Sequence, residues 1–356
     1  MVTQKMEIYK RRGGMIKVAV VILNWNGKNY LEKFLPDVVK NTPGENFEIW
    51  VADNGSADGS IPYVMENHPE VKILELGQNY GFAGGYVKAL DMISAGYYVL
   101  LNSDAKTSPG WLEPLIRLME SDTSIAACQP KIKSLEDSGY FEYAGAAGGF
   151  IDFLGYPFCR GRIFDVTEKD TGQYDSTCRI FWASGACMVV RGDLWHENSG
   201  FDEKFFAHME EIDFCWRLKN RGYKIMVCHE SQVFHLGGGT LEQASPRKTF
   251  LNFRNNLLLL YKNLPSKQMP WVLLLRLEMD MLSVLKFLFS LSFSNAFAVI
   301  KAHFAFFFLL PSYSKIRKKL QKERKVDLHP QIYRKSIVAD FFIRGKRYFS
   351  SLNFGK

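Results

Sequence analysis

No C-x-x-C pair and no dense cysteine cluster occurs in the 356 residues; the six cysteines, Cys128, Cys159, Cys178, Cys187, Cys215 and Cys228, are scattered. That argues against a disulfide scaffold and a thiolate zinc site, and it suits a reducing compartment. Each thiol reads first as a small buried hydrophobe. Charged residues make up only 23% against 47% apolar, which excludes wholesale disorder. Long apolar runs are also missing. Between Trp271 and Leu310 the pattern is broken by Arg276, Glu278, Asp280, Lys286, Lys301 and His303, and the longest uncharged stretch, Phe287–Ile300, has 14 residues. A spanning helix needs roughly 20. No secretory signal is expected. The run Met15–Trp25 after Arg11 and Arg12 holds Lys17, is rich in β-branched residues and shows no small-residue cleavage site, so it reads as a buried strand ending in a turn. No internal repeat is evident.

Charge is present but unevenly placed. The net charge is +8, yet Lys315 to Lys356 alone hold thirteen Lys/Arg and three Asp/Glu. The body is near neutral and the basicity is an appendage, suited to an anionic surface. It is not laid along a groove with interleaved aromatics, which argues against nucleic acid as a partner.

The first 135 residues alternate strand-like and helix-like segments. Lys17–Trp25, Phe47–Asp53, Val71–Leu76 and Tyr97–Asn102 read as strands, and Lys28–Asn41, Ser56–Asn67, Phe82–Ala95 and Pro109–Ser121 as helices. This rhythm predicts a parallel sheet covered on both faces, with ligands beyond the carboxyl ends of the strands. The strands lead in turn into Asn24-Trp25-Asn26-Gly27, Asp53 through Ser60, Gly77 through Gly81, and Asn102-Ser103-Asp104. Each alone is ordinary turn chemistry; four at one sheet edge predict a binding crevice. Residues 136–180 are Gly- and Tyr-rich, with no assignable periodicity. Beyond them a strand is expected at Phe181–Arg191, a helix at Phe205–Arg221 ended by Gly222, and a strand at Tyr223–Cys228. His235 then precedes Gly237-Gly238-Gly239, and an apolar helix covers Phe250–Asn263.

The placement of these segments singles out the residues able to do chemistry. Asp104 at a strand end calls for a positive partner, and a divalent cation on a diphosphate is one; an Asx-turn or helix cap is the other reading. Asp53 can accept from a base or ribose hydroxyl, or cap the next helix. On a helix Asp213 and Arg217 share a face and read as an ion pair, whereas Glu211 points elsewhere and can act as a base if it faces the crevice. His235 is either structural or a ligand beside a carboxylate-bound metal.

Taken in order, Val20 through Gly27, Asp53 through Ser60, Asn79 through Gly85, Leu101 through Asp104, Ser184 through Ala186, Phe201 through Glu203 with Glu210 through Asp213, and His235 resemble glycosyltransferase family 2. The flavour is that of the rhamnosyltransferase-like branch of bacterial polysaccharide synthesis, and the similarity spans about residues 16–263. The resemblance implies an α/β fold of GT-A type, Rossmann-like with a mostly parallel sheet flanked by helices. The catalytic domain would cover 15–248, an apolar helical and membrane-associated extension 249–311, and a basic tail 312–356. It implies an inverting, metal-dependent transfer from a nucleoside-diphosphate sugar, dTDP-rhamnose among the candidates, to a glycan or polyprenyl-linked acceptor. The apolar stretch and the basic tail, read together, suggest a cytoplasmic protein peripheral on the inner face of an anionic membrane; an ordinary helical subdomain packed on the sheet is the other reading. By the same resemblance Asn24, Asp53, Asn79, Gly81 and Asp104 bind the nucleotide sugar, Asp104 and His235 hold Mg²⁺ or Mn²⁺, and Glu211 is the base. Arg254-Asn255 matches a recurrent pair without an assigned role. Asn102 stands where many members have a first acid, Ser103 where the branch often has Pro, Glu211 where the base is usually Asp, and Tyr86-Val87 where Asn is frequent. A nucleotidyltransferase, or a non-catalytic glycan-binding protein with a degenerate pocket, are the rival classes; Asn24-Trp25-Asn26-Gly27 is a poor anion cradle for the first.

Overall fold

The computed structural model describes residues 18–237 and 245–354. The expected domain start at 15, Arg11-Arg12, Met15–Lys17 and Gly238-Gly239 lie outside the described residues. The first half winds as β1 (Val18–Asn24), α1 (Lys28–Asn41), β2 (Phe47–Asp53), α2 (Ser60–Asn67), β3 (Lys72–Glu75), α3 (Gly81–Met92), β4 (Tyr97–Asn102), the short β5 (Ala105–Thr107), α4 (Glu113–Ser121) and β6 (Ile125–Ser134). β1 is β-branched and buried along nearly its whole length, as a strand covered on both faces must be. α1 buries Leu31, Phe34, Leu35 and Val38, the i, i+3, i+4, i+7 stripe of an amphipathic helix. α3 lies so close on β1 that a Cβ at Gly85 would sit 2.8 Å from Leu23.

Residues 136–180 fold into a second, smaller sheet. Its strands are β7 (Gly149–Asp152), β8 (Pro157–Cys159), β9 (Arg162–Ile163) and β10 (Val166–Thr167). The main sheet resumes with β11 (Cys178–Ile180) and β12 (Cys187–Arg191), then α5 (Gly192–Glu197), α6 (Glu210–Asn220) and β13 (Lys224–His235). The strand expected over Phe181–Arg191 is confined to Cys187–Arg191, with β11 ending just before Phe181, and the helix expected from Phe205 starts at Glu210. The cause is local: Phe206, His208 and Met209 all have positive φ, a conformation no α-helix accommodates.

The main sheet runs β11-β13-β6-β12-β4-β1-β2-β3, with β5 on β13. β4, β1, β2 and β3 are parallel, with Asn24 opposite Asp53 and Leu23 opposite Asn102. The chain order reverses between β1 and β4, the switch point where open α/β sheets bind ligands.

The C-terminal part comprises α7 (Pro246–Asn263), α8 (Met269–Phe289), α9 (Phe293–Glu323), β14 (Ile332–Tyr333) and α10 (Ile337–Phe342). The expected boundary at 311/312 falls inside α9. Nor is the basic tail a free appendage: β14 adds in parallel to β7 and completes the five-stranded second sheet, while Tyr333, Ile337 and Phe341 enter the main core.

Candidate active site

Three strand-end loops are stitched into one crevice floor. Asn24 is buried and donates from Nδ2 to Asp53 Oδ1 and to Ser56 Oγ, both at 3.1 Å; its own Oδ1 is buried without a partner. Asp53 Oδ2 accepts from the backbone N–H groups of Gly55 at 3.2 Å and Ser56 at 2.9 Å. Asp53 is therefore both a turn former and a crevice residue. Asn54, unremarked in the sequence, joins the next loop: its Nδ2 donates to Asn79 Oδ1 at 3.2 Å and Gly81 O at 3.0 Å, and its Oδ1 accepts from Tyr80 N at 3.0 Å. Gly81 has φ +73, and a Cβ there would meet Phe206 at 2.5 Å, so only glycine lets the two loops touch.

Asp104 and His235 come together at the end of β4 and β13. Their Oδ1 and Nε2 lie 3.0 Å apart, and Asn102 Nδ2 is 3.2 Å from the same nitrogen. On the other side, His235 Nδ1 lies 3.3 Å from Glu142 Oε1. Burial alone would raise the Asp104 carboxyl, but the hydrogen bond and charge of His235 outweigh it and hold it below its ordinary range. Burial likewise disfavours charged His235, yet the two carboxylates prevail and raise its pKa to about 10. Glu142 is the member of this trio that sequence reasoning missed. It sits in the unassigned 136–180 segment and belongs to no motif.

Glu210 and Glu211 open α6, where the helix dipole favours carboxylates. Glu210 is buried and Glu211 half-buried, and each has an Oε2 without a hydrogen-bond partner. Burial, then the neighbouring Glu211 charge, pushes Glu210 well above its ordinary value. Burial also raises Glu211, to about 7. A base has to be ionised and reachable at working pH, and that favours Glu211. Asp213 is a structural residue: it accepts from Arg217 Nε at 2.9 Å, Lys262 Nζ at 2.7 Å and Asn263 Nδ2 at 2.7 Å.

The Arg254-Asn255 pair acquires a role. Asn255 Nδ2 donates to the carbonyls of Phe205 at 3.0 Å, Ala207 at 3.0 Å and His208 at 2.8 Å, and Arg254 Nη2 donates to those of Lys204 at 2.8 Å and Phe205 at 3.1 Å. Together they clamp the left-handed loop that leads into Glu210 and Glu211. The structure thus brings together Asn24 with Asp53, Asn79 with Gly81, and Asp104 with His235. Glu211 touches none of them directly. It is linked to them through the Phe206 loop packed on Gly81. Among the described residues no three His, Cys, Asp or Glu side chains converge as metal ligands.

A family model described as "Glycosyl transferase family 2" matches residues 19–185. The chain is similar to an N-acetylglucosaminyl-diphospho-decaprenol L-rhamnosyltransferase of Mycobacterium tuberculosis, 25% identical over 231 residues that cover 61% of this chain and 75% of that protein. Among solved structures it is similar in fold to GalNAc-T7 crystallised with UDP, GalNAc and Mn²⁺, with a TM-score of 0.58, 15% identity, and coverage of 73% of this chain and 50% of that one. The chain therefore spans about half the length of that structure. Staphylococcus aureus TarS 1-349 in complex with UDP-GlcNAc gives a TM-score of 0.54 at 16% identity, covering 86% of this chain and 87% of that one.

Proposed function

For a chain whose residues 19–185 belong to glycosyltransferase family 2, and whose fold is of the GT-A type, we propose an inverting, metal-assisted transfer of a sugar from a nucleoside diphosphate to a hydroxyl of a lipid-linked glycan. The observation that carries this reading is the joining of the β1, β2 and β3 loops into one floor, with Asp104–His235 at the β4 end. Asn24 Oδ1, buried and unpartnered, is an acceptor held for a nucleoside N–H or O–H. Asp53 and the Asn79–Gly81 loop shape the same pocket.

The donor set at Asp104 fits a divalent ion, and His235, held as imidazolium by Asp104 and Glu142, would join it only after giving up its Nε2 proton. A carboxylate oxygen and an imidazole nitrogen sit together at a crevice edge, and Mg²⁺ or Mn²⁺ takes one or two carboxylates and fills the rest of its shell with phosphate oxygens and water. When bound, the ion neutralises charge on the departing diphosphate. Glu211 accepts the proton of the acceptor hydroxyl as that oxygen forms a bond to the anomeric carbon. The bond from that carbon to the diphosphate oxygen breaks, and its electron pair leaves with the nucleoside diphosphate. Attack opposite the leaving group inverts the centre. The test is product analysis with a panel of dTDP-, UDP- and GDP-sugars. Free nucleoside diphosphate is expected. Pyrophosphate would make the protein a nucleotidyltransferase, and no turnover with any donor would make it a binding protein.

The membrane reading rests on α8 and α9, which are built inside out. Three of the six charges that interrupt the apolar run turn inward: Arg276 Nε donates to Asp280 Oδ1 at 2.7 Å, His303 Nε2 lies 3.1 Å from Asp280 Oδ2, and Arg276 Nη1 reaches Asn256 Oδ1 at 2.6 Å; Glu278, Lys286 and Lys301 stay exposed. The outer face carries Phe289, Phe304 and Phe308 at 87%, 73% and 85% exposure, with Leu282, Leu285, Leu291, Phe293 and Phe297 also exposed. Exposed apolar side chains in such number on two adjoining helices mark an interaction site, and the exposed Lys286 and Lys301 among them suit an anionic surface. By length and composition α9 is able to cross a membrane, but its other stripe, Ala296, Val299, Ala302, Phe306 and Tyr313, is buried against the protein. The pair is therefore proposed to lie in the interfacial layer with the basic residues beyond Lys315 against anionic headgroups, on the cytoplasmic face. Each Phe or Leu withdrawn from water contributes about 1.5–3 kcal/mol. Phe289→Ser, Leu291→Ser and Phe293→Ser combined are therefore expected to move the protein from the vesicle-bound to the unbound fraction in flotation with phosphatidylglycerol vesicles. Equal partitioning of variant and wild type would refute the docking.

A further inference from the structure

Arg162 begins β9, in the segment without sequence periodicity, and is 6% exposed. Its five N–H donors meet very little. Nη2 reaches the thiol of Cys159 at 3.3 Å, Nη1 the Phe164 carbonyl at 3.4 Å, and Nε is buried with no partner. Among the described residues no carboxylate stands within ion-pair distance of it. Its neighbour Arg160 is the opposite case: Nη2 donates to Ser176 Oγ at 2.6 Å and Nη1 to Ser176 O at 3.1 Å, with the guanidinium over Tyr174. Arg160 is a structural residue with its hydrogen bonds filled. Arg162 is a buried cation with its hydrogen bonds open, an arrangement that costs free energy unless something anionic completes it.

Its position says what that is. The guanidinium stacks at 4.5 Å on the ring of Tyr143, itself half exposed. Tyr143 follows Glu142, which faces His235 and through it Asp104. The guanidinium thus stands beside the segment whose Glu142 faces the Asp104–His235 pair. A planar fork of donors suits two oxygens of a phosphate.

We propose that Arg162 binds a phosphate oxygen of a substrate diphosphate, either the donor's or that of a lipid-linked acceptor. The inference rests on the glycosyltransferase reading above. The test uses Arg162→Gln, Arg162→Lys and, as a structural control, Arg160→Gln, in the full-length protein. Titration calorimetry with dTDP, UDP and GDP in Mn²⁺ reports the donor arm, and titration with citronellyl diphosphate the acceptor arm. Arg162→Gln is expected to weaken one arm by about 10- to 100-fold, the range of a hydrogen bond to a charged group. Arg162→Lys is expected to restore part of it, and Arg160→Gln to lower the melting temperature without moving either affinity. Loss in the first arm assigns Arg162 to the donor, and loss in the second to the acceptor. If Arg162→Gln binds both probes as wild type does, or if Arg160→Gln weakens them equally, the assignment is wrong. If wild type itself binds neither probe, the glycosyltransferase reading falls as well.

Discussion

Glu211→Gln is expected to lower sugar transfer by about 10²–10⁴-fold, the usual contribution of a positioned general base, while nucleoside-diphosphate affinity by calorimetry stays at the wild-type value. Glu210→Gln is the comparison. Glu210 is the more deeply buried and the more strongly held in its neutral form, so its amide replaces an already uncharged group and is expected to cost far less. The wild-type rate should climb as pH rises through about 7, where Glu211 loses its proton, and that limb should vanish in Glu211→Gln. The same shift acts on stability with a definite sign. The folded-state pKa is raised above its ordinary value of 4.5, so between those values the folded chain holds a proton that the unfolded chain has released. Its stabilising contribution is full below 4.5 and lost as pH rises through 7. Glu211→Gln removes this loss, so its melting temperature at pH 8 should exceed that of wild type. An inactive variant that also melts early would point to misfolding and leave the base unassigned; an active one would remove Glu211 from the mechanism.

Asp104→Asn is expected to abolish the dependence of donor affinity on Mn²⁺ and to reduce transfer by about 10²–10³-fold, comparable with loss of a main electrostatic contact in a transition state. The substitution keeps the size and the reach toward His235 while removing the charge. Donor titrations with Mn²⁺ and with EDTA read it directly. If wild type and variant bind donor equally in both media, no ion is held at Asp104.

Much of the crevice was legible because its residues sit in loops that parallel strands place at one edge. Asn24, Asp53, Asn79 and Asp104 each stand at or just beyond the end of a strand whose apolar run is unmistakable, and the topology does the rest. Residues 136–180 were opaque for a physical reason: strands of two to four residues are too short to display a period of two. Glu142 and Arg162 lie there, so their convergence with His235 and Cys159 had no signal along the chain. The role of Asn255 was hidden for another reason, since it acts on backbone carbonyls some fifty positions away, and a carbonyl leaves no trace in a sequence. The charges at Arg276, Asp280 and His303 misled in a third way. Counted along the chain they interrupt an apolar run; folded, they satisfy one another inside the protein, and only Glu278, Lys286 and Lys301 remain as exposed charges among the apolar side chains.

The pairing of β14 with β7 joins Ile332 to Ile151, and so sets an order on biosynthesis. The lobe that carries Arg162 remains one strand short until Ile332 and Tyr333 have cleared the ribosome. By then α8 and α9 have already emerged, so the docking proposed for their exposed apolar side chains does not wait for the second sheet to be complete.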